Sequence, residues 1–249
     1  MTAAPVVLTV AAGSFPGLAD ALRALPAEVV ENPLLTFAPP VDWAPVDQAI
    51  RELGRYSAVA FTSPRAAEAF GNRLGEQSGG ALPSAWAAGR GTAAALGPFA
   101  AAVRTAPEEE AGRLGAAAAL AAAMLRERIG GPVLFPCGEI RRDELPTRLR
   151  QDGVEVKEVV CYRSVIAGEA DAREAIRRAG VLVVASPSVA ELLARVSAPT
   201  PRPPLLAVGP TTAAAARAAG WSPAAVAARP EVEALVAEVS SLLAERPVR

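Results

Sequence analysis

Few side chains in this sequence could carry chemistry, and the most distinctive of them is Tyr162. The chain has 249 residues and no histidine, which removes the commonest general base and the commonest metal ligand together. Its two cysteines, Cys137 and Cys161, form neither a disulfide framework nor a zinc motif, so we interpret them as reduced, buried thiols. A phenol, with a pKa of about 10, acts at neutral pH as a donor of a proton or a hydrogen bond. The alternative is that Tyr162 only anchors the end of a strand.

Tyr162 closes a segment with the pattern of a strand, a helix and a second strand. An apolar run begins at Val133 and stops at Pro136-Cys137-Gly138. A charged segment with helical spacing covers 140–151, and an alternating apolar run over 154–160 leads to Tyr162. This pattern predicts a βαβ unit. The turn after its first strand would lie at the carboxyl edge of a parallel sheet, where open α/β folds bind ligands, so the unit is a candidate site.

Four other positions place a serine or threonine at the predicted start of a helix. Ser63-Pro64 and Ser186-Pro187 each follow a predicted strand, as do the segments 89–92 and 209–212, which end in Thr92 and Thr212. One interpretation is capping, in which the serine hydroxyl accepts a backbone N–H bond and proline takes the first helical position. The other adds that backbone N–H groups at a helix start bind anions. Four such starts facing one cleft would suit a ligand with several carboxylates or phosphates.

The chain also contains an internal repeat. Residues 59–68 parallel 183–191, residues 87–96 parallel 207–216, and the opening segment 6–35 parallels 133–163. Two copies of one βα pattern predict two similar α/β domains with parallel sheets. A ligand would then lie in the cleft between them.

Apolar periodicity predicts the elements that must position these residues. Pro39-Pro40 is a candidate linker and 77–80 a loop. The other predicted strands are 6–10, 29–35, 58–62, 84–88, 181–185 and 205–208. The other predicted helices are 18–25, 46–53, 66–74, 93–96, 116–125, 170–179, 189–196, 213–219 and 231–243.

Composition and motifs exclude several classes of function. A net charge of −1 argues against a nucleic-acid partner, which usually requires a basic face. Gly89-Arg90-Gly91 lacks the third glycine of a dinucleotide motif, and no phosphate-binding P-loop sequence is present. The first ten residues lack a signal sequence, and the alanine-rich run 116–125 is about half the length that spans a bilayer. We therefore expect a cytoplasmic protein with no membrane segment.

Five motifs, taken in order, resemble those of the uroporphyrinogen-III synthase family. They are Phe61-Thr62-Ser63-Pro64-Arg65-Ala66, Leu134-Phe135-Pro136-Cys137-Gly138, Val160-Cys161-Tyr162-Arg163, Ser186-Pro187-Ser188 and Val208-Gly209-Pro210-Thr211-Thr212-Ala213. Each motif is weak alone, but their order and spacing are specific, and the resemblance covers about 6–243. The chain departs from the family at one point. Many members carry an arginine just after the first strand, where Leu8-Thr9-Val10-Ala11 has none.

The resemblance implies an α/β fold of two similar doubly wound parallel-sheet domains, flavodoxin-like in type. A two-stranded linker would join them, with the ligand cleft between. Residues 1–36 together with 165–249 would form one domain, and residues 38–162 the other. The implied ligand contacts use backbone N–H groups at the four helix starts, helped by Ser63, Pro64, Thr92, Gly138, Ser186, Pro187, Gly209, Thr211 and Thr212.

The resemblance also implies a lyase reaction of haem biosynthesis. Hydroxymethylbilane, a linear tetrapyrrole with eight carboxylates, loses water and closes with inversion of ring D to give uroporphyrinogen III. Tyr162 matches the tyrosine expected to assist departure of the hydroxyl group. No metal or organic cofactor is implied. We expect a monomer, and the resemblance leaves room for a transient contact with the preceding enzyme of the pathway.

Two other functions stay open on sequence alone. A two-lobed module of the same fold could bind a tetrapyrrole or another anion without catalysing a reaction. A periplasmic receptor for sugars or anions is the third hypothesis, and the lack of a visible signal peptide argues against it.

Overall fold

The computed structural model describes residues 5–77, 82, 85–198 and 201–245. The chain forms two compact units. Unit 2 is Ala38–Ser164, and unit 1 contains the described residues up to Phe37 together with those from Val165 onward. The chain therefore passes from one unit to the other within the strands Leu35–Ala38 and Val156–Ile166.

Short strands alternate with helices along most of the described chain. The strands are β1 Val6–Leu8, β2 Val29–Glu31, β3 Leu35–Ala38, β4 Ala58–Phe61, β5 Ala85–Ala87, β6 Val103–Thr105, β7 Val133–Gly138, β8 Val156–Ile166, β9 Val181–Val184, β10 Leu205–Val208 and β11 Ala225–Ala227. The helices are α1 Leu18–Arg23, α2 Ala44–Arg51, α3 Pro64–Gln77, α4 Arg90–Leu96, α5 Glu108–Leu114, α6 Ala116–Arg126, α7 Glu144–Gln151, α8 Glu169–Arg178, α9 Pro187–Val196, α10 Pro210–Ala218 and α11 Val232–Ala244. A single 3-10 turn, Leu53–Arg55, follows α2.

The sheet of unit 1 has the strand order β11-β10-β9-β1-β2, and every adjacent pair is parallel. Numbered along the unit, this is the flavodoxin-like order 2-1-3-4-5. Its strands are apolar at almost every position because both faces are covered. Leu182 and Val184 of β9 belong to the core on one face, and Val181 and Val183 belong to the core on the other.

The sheet of unit 2 has the order β3-β8-β7-β4-β5-β6, with parallel pairing from β8 through to β6. Its two faces also carry separate cores. Val59, Phe61 and Leu134 pack on one side, where the rings of Phe61 and Phe70 meet edge to face at 5.9 Å. Ala58, Trp86 and Phe135 pack on the other side against α6 and α7.

The predicted internal repeat corresponds to equivalent positions in the two sheets. The order β8-β7-β4-β5-β6 in unit 2 matches β2-β1-β9-β10-β11 in unit 1, strand for strand. The repeat segments 59–68 and 183–191 contain the ends of β4 and β9, and 87–96 and 207–216 contain the ends of β5 and β10. The predicted class, α/β with two similar parallel sheets, is confirmed.

One predicted strand is two strands in the structure. Residues 29–31 of the run form β2, in the sheet of unit 1, whereas its last residue, Leu35, begins β3, in the six-stranded sheet. Pro33 lies between them and has no N–H to donate to a ladder, which explains the interruption. Leu34 instead donates its N–H to the carbonyl of Thr9, and its side chain is fully buried in unit 1.

The region around Tyr162 also differs from the prediction. Pro136, Cys137 and Gly138 were predicted to end the strand, but all three lie within β7, which pairs with β8 along its whole length. Proline removes only its own N–H, so the neighbouring residues keep the pairing. Helix α7 begins at Glu144 rather than at 140, and β8 continues beyond 160 to Ile166.

The remaining differences are small. Periodicity missed β6, α5 and β11, of which β6 and α5 have no buried residue and β11 has one. The predicted loop 77–80 begins at the last residue of α3, and 78–80 lie outside the described residues, as does residue 84. Within the described residues, no helix is long and apolar enough to cross a membrane.

Candidate active site

The candidate site residues of unit 2 lie at the carboxyl edge of its sheet. Ser63 follows β4, Gly138 ends β7, and Tyr162 is part of β8. The three strands are adjacent in the sheet and parallel, so their carboxyl ends meet at one edge. Gly138 pairs with Tyr162 in the ladder, where the register shifts between Cys137 and Gly138.

The phenol of Tyr162 is held between a hydroxyl and a glycine. Its oxygen lies 3.3 Å from Oγ of Ser63, and either group could donate a hydrogen bond. Ser63 Oγ in turn accepts a long bond, 3.4 Å, from the N–H of Ala66 in the first turn of α3. A Cβ added to Gly138 would stand 2.6 Å from Cζ and 2.8 Å from the oxygen of Tyr162. Glycine is therefore the residue that lets the ring lie against β7.

A cavity of about 580 Å³ opens beside these three residues. Its walls come from the ends of β4, β5 and β7, from the α5–α6 junction at 114–117, and from the turn before α7. Leu114, Ile140 and Arg142 line it and were absent from the predicted site. The adjacent arginines Arg141 and Arg142 follow the predicted turn at Gly138 closely in the sequence, and this proximity could have indicated an anion contact. No sequence motif near residues 114–117 indicated that the α5–α6 junction would contact the carboxyl edge of the sheet.

Both cysteines are free and buried, as predicted. The thiols of Cys137 and Cys161 both contact the carbonyl oxygen of Val159, at 3.6 and 3.7 Å, but the side chains belong to the cores on opposite faces of the sheet. Burial raises the pKa of Cys137 to about 11 and also raises the pKa of Cys161. These thiols are protonated at neutral pH and are poor nucleophiles.

In unit 1 the candidate residues lie at the ends of β9 and β10. Ser186 and Pro187 begin α9, and Gly209 begins α10 with Thr211 exposed in its first turn. Pro187 takes the first helical position, as predicted. The predicted cap is wrong for Ser186, because its hydroxyl makes no capping hydrogen bond to α9. The half-buried Ser186 side chain is therefore not engaged in holding the helix start.

Thr92 and Thr212 are buried, whereas a side chain that contacts a ligand directly must be accessible. Thr92 is 4% exposed and Thr212 is 2% exposed, each in the first turn of its helix. Both residues are therefore almost fully buried, and a role in ligand binding stays a prediction. Pro64, by contrast, is exposed at the start of α3.

The first residue after β1, where the sequence has no arginine, has a structural role. Thr9 is 1% exposed, and its hydroxyl donates a 2.8 Å hydrogen bond to the carbonyl of Val183 in β9. Its backbone N–H bonds the same carbonyl at 3.1 Å. Thr9 thus ties the end of β1 to β9 and presents no charge.

The structure brings together Ser63, Gly138 and Tyr162, all in unit 2. Thr92 belongs to the same unit, where Gly91 of α4 stands close to Pro64. The other five candidates form a second group, in unit 1: Ser186, Pro187, Gly209, Thr211 and Thr212. A cleft shared by the two groups stays a prediction.

Among the described residues, no three His, Cys, Asp or Glu side chains lie together as a metal site would require.

The two glycines that begin the repeated helices differ in backbone conformation, and this leads to a stability prediction. Gly209 has φ 89° and ψ 165°, a region that only glycine occupies readily, so Gly209→Ala should lower the free energy of unfolding by about 1–3 kcal/mol. Gly89 has φ −167° and ψ 173°, with no atom within 4 Å of an added Cβ, so Gly89→Ala is the matched control. Urea unfolding of both variants measures the difference, and equal losses would contradict the prediction.

Comparisons with known proteins identify what this chain resembles. The family model described as HEM4, uroporphyrinogen-III synthase HemD, matches residues 17–237. A curated uroporphyrinogen-III synthase from Synechococcus elongatus is 38% identical over 72 residues, which are 29% of this chain and 27% of that relative. The matching segment thus spans about a quarter of that relative's length.

Two solved structures share the fold. A mutant uroporphyrinogen III synthase from the extremely thermophilic bacterium Thermus thermophilus superposes with a TM-score of 0.63 at 17% identity, covering 98% of this chain and 100% of that one. The uroporphyrinogen-III synthetase from Helicobacter pylori gives a TM-score of 0.62 at 18% identity, covering 97% and 100%.

Proposed function

This chain belongs to the uroporphyrinogen-III synthase family, and we propose from that premise that it cyclises hydroxymethylbilane to uroporphyrinogen III. The family model matches most of the chain, and the substrate of this family is a tetrapyrrole. The single observation in the molecule that supports the activity is the phenol of Tyr162. It stands 3.3 Å from Ser63 Oγ beside a cavity at the carboxyl edge of a parallel sheet.

The first chemical step breaks the bond between carbon and oxygen in the hydroxymethyl group. The pyrrole nitrogen supplies electrons as the hydroxyl leaves, and Tyr162 donates a proton or hydrogen bond to the departing oxygen, which becomes water. The resulting azafulvene carbon bonds to the substituted α carbon of ring D and gives a spiro intermediate. The bond from that α carbon to the ring C bridge then breaks, and the bridge re-bonds at the free α carbon of ring D. The proton lost from this carbon returns to the Tyr162 oxygen, and ring D is left inverted. Ser63 holds the phenol oxygen, and Gly138 lets the ring approach the strand.

Much of the rate would come from the reactive pyrroles of the substrate itself. The task of the protein is then to hold the two ends of the chain in the geometry that favours inversion over direct closure. In this proposal, backbone N–H groups at the starts of α3, α4, α9 and α10 hold the carboxylates of the substrate.

The protein requires no metal or organic cofactor in this proposal, because the leaving group needs only a proton donor. We further propose that it acts in the cytoplasm as a monomer. Gel filtration at micromolar concentration tests the oligomeric state, and an elution volume of a dimer would contradict it.

A product assay tests the activity. Purified protein is given hydroxymethylbilane, the products are oxidised to porphyrins, and isomers I and III are separated. We expect mainly isomer III. Isomer I alone, as forms without enzyme, would contradict the proposal, and tight binding of a porphyrin without turnover would indicate a binding module instead.

The role of Tyr162 has its own test. Tyr162→Phe should lower kcat about 10²-fold, because a positioned proton donor typically contributes 10²–10⁴-fold. The other tyrosine supplies the control. Tyr56 lies at the edge of the core of unit 2, where burial raises its pKa, and it does not line the cavity. Tyr56→Phe should leave kcat unchanged. Unchanged turnover in Tyr162→Phe would remove the acid role.

A further inference from the structure

The cavity beside Tyr162 has an apolar rim that the reaction chemistry does not use. Large apolar side chains rarely stay exposed without a reason when they cluster. Four are exposed among the described residues, and two of them, Leu114 and Ile140, line this one cavity. Leu114 ends α5, immediately before the left-handed Gly115, and Ile140 lies two residues after β7. Ile140 is 71% exposed.

Not every charged side chain that lines the cavity has a partner among the described residues. Arg141 and Arg142 both line it, together with the carboxylate of Glu144. Arg141 is neutralised by Glu158 of β8, which also accepts a 2.7 Å bond from Arg150. Within the described part of the chain, Arg142 makes neither a salt bridge nor a hydrogen bond, and no pair forms between it and Glu144. Arg142 is therefore the guanidinium left to meet an anion from outside.

We propose that this cavity holds the pyrrole ring that carries the hydroxymethyl group. This inference rests on the proposed function and makes it specific. The ring lies between Leu114 and Ile140, one carboxylate side arm binds Arg142, and the hydroxymethyl group faces Tyr162. The apolar side chains of Leu114 and Ile140 lie beside the one unpaired guanidinium of this cavity, that of Arg142. This arrangement complements a pyrrole ring, which is flat and apolar but carries carboxylate side arms. A volume of about 580 Å³ lies within the range of small-ligand pockets.

Arg142→Gln tests the charged contact. The variant should raise KM for hydroxymethylbilane, and Kd for uroporphyrin III measured by fluorescence anisotropy, about tenfold, with kcat unchanged. The loss should shrink as salt is raised, because ions screen exposed charges. Arg148→Gln is the matched control, since Arg148 is an exposed arginine of α7 that does not line this cavity. Equal KM values in both variants would overturn the role of Arg142.

Ile140→Ser tests the apolar contact. It should raise KM and Kd about fivefold, because burying the Ile140 side chain against the ring would otherwise stabilise the complex. Val41→Ser is the control. Val41 is 85% exposed in the same unit but does not line the cavity, and its replacement should change neither constant. If both serine variants behave alike, the ring does not lie on Ile140.

Failure of this subsite and failure of the proposed function are distinguishable. If the protein makes isomer III but Arg142→Gln and Ile140→Ser leave KM and Kd unchanged, the subsite is wrong and the function stands. If the protein makes only isomer I, yet both variants weaken uroporphyrin III binding, the cavity binds a tetrapyrrole ring but the proposed reaction is wrong. Circular dichroism confirms folding in each case, and all four substituted positions are exposed.

Discussion

Replacing Gly138 by alanine is expected to lower kcat/KM for cyclisation about 10²-fold, because misplacing a catalytic group by about 1 Å can cost that much. The new Cβ would stand 2.6 Å from Cζ and 2.8 Å from the oxygen of Tyr162, distances too short for non-bonded atoms. The ring must move, and its 3.3 Å contact with Ser63 is then lost. Steady-state kinetics with hydroxymethylbilane measures the effect.

A double-mutant cycle separates displacement of the phenol from general damage. In the Tyr162→Phe background, Gly138→Ala should add little further loss, because the hydroxyl that it displaces is already absent. Gly75→Ala is the control for adding a methyl group elsewhere in the unit, where nothing lies within 4 Å. An additive effect of the two changes at 138 and 162 would show that Gly138 acts by another route.

Gly71→Ala is expected to lower the free energy of unfolding by about 1–3 kcal/mol through overpacking. Gly71 is buried in α3, and an added Cβ would stand 2.5 Å from Cγ of Phe99 and nearer still to the ring edge. The aromatic ring is rigid and half-buried, so it must swing away from the helix. Thermal or urea unfolding of the variant measures the loss.

Gly75 lies one turn further along α3, and its replacement by alanine is expected to stabilise the protein rather than destabilise it. It is exposed, and an added Cβ there meets no atom within 4 Å. Gly75→Ala should therefore raise the free energy of unfolding by about 0.5–1 kcal/mol, as alanine does when it replaces glycine inside a helix. A loss of stability in both variants would show that packing against Phe99 does not explain the effect at 71.

Most of the elements could be predicted because their signals are local. Parallel strands covered on both faces are continuous apolar runs, which is why 58–62, 181–185 and 205–208 were recognisable. The prediction was wrong where two local rules competed. Pro136 was taken to end a strand, but the pairing of its neighbours with β8 continues β7 through it. Pro33, by contrast, does separate two strands.

The candidate site was predicted in part. Tyr162 and Ser63 were each identified alone, but they are 99 positions apart, and only the order of β4, β7 and β8 in the sheet makes them neighbours. The sequence could not distinguish Arg141 from Arg142. Glu158, which neutralises Arg141, is 17 positions away on the next strand, where pairing rather than proximity in the chain decides the contact.

The sequence by itself determined most of the strands and helices, the repeat that gives both sheets the same arrangement, and the Ser-Pro pairs that follow β4 and β9. Those properties follow from periodicity and backbone preference, which act over a few residues. Only the tertiary structure decided that β2 and β3 join different sheets, which of Arg141 and Arg142 is left unpaired, and which glycine supports the phenol of Tyr162. These depend on side chains distant in sequence, and their contacts exist only once the sheet has formed.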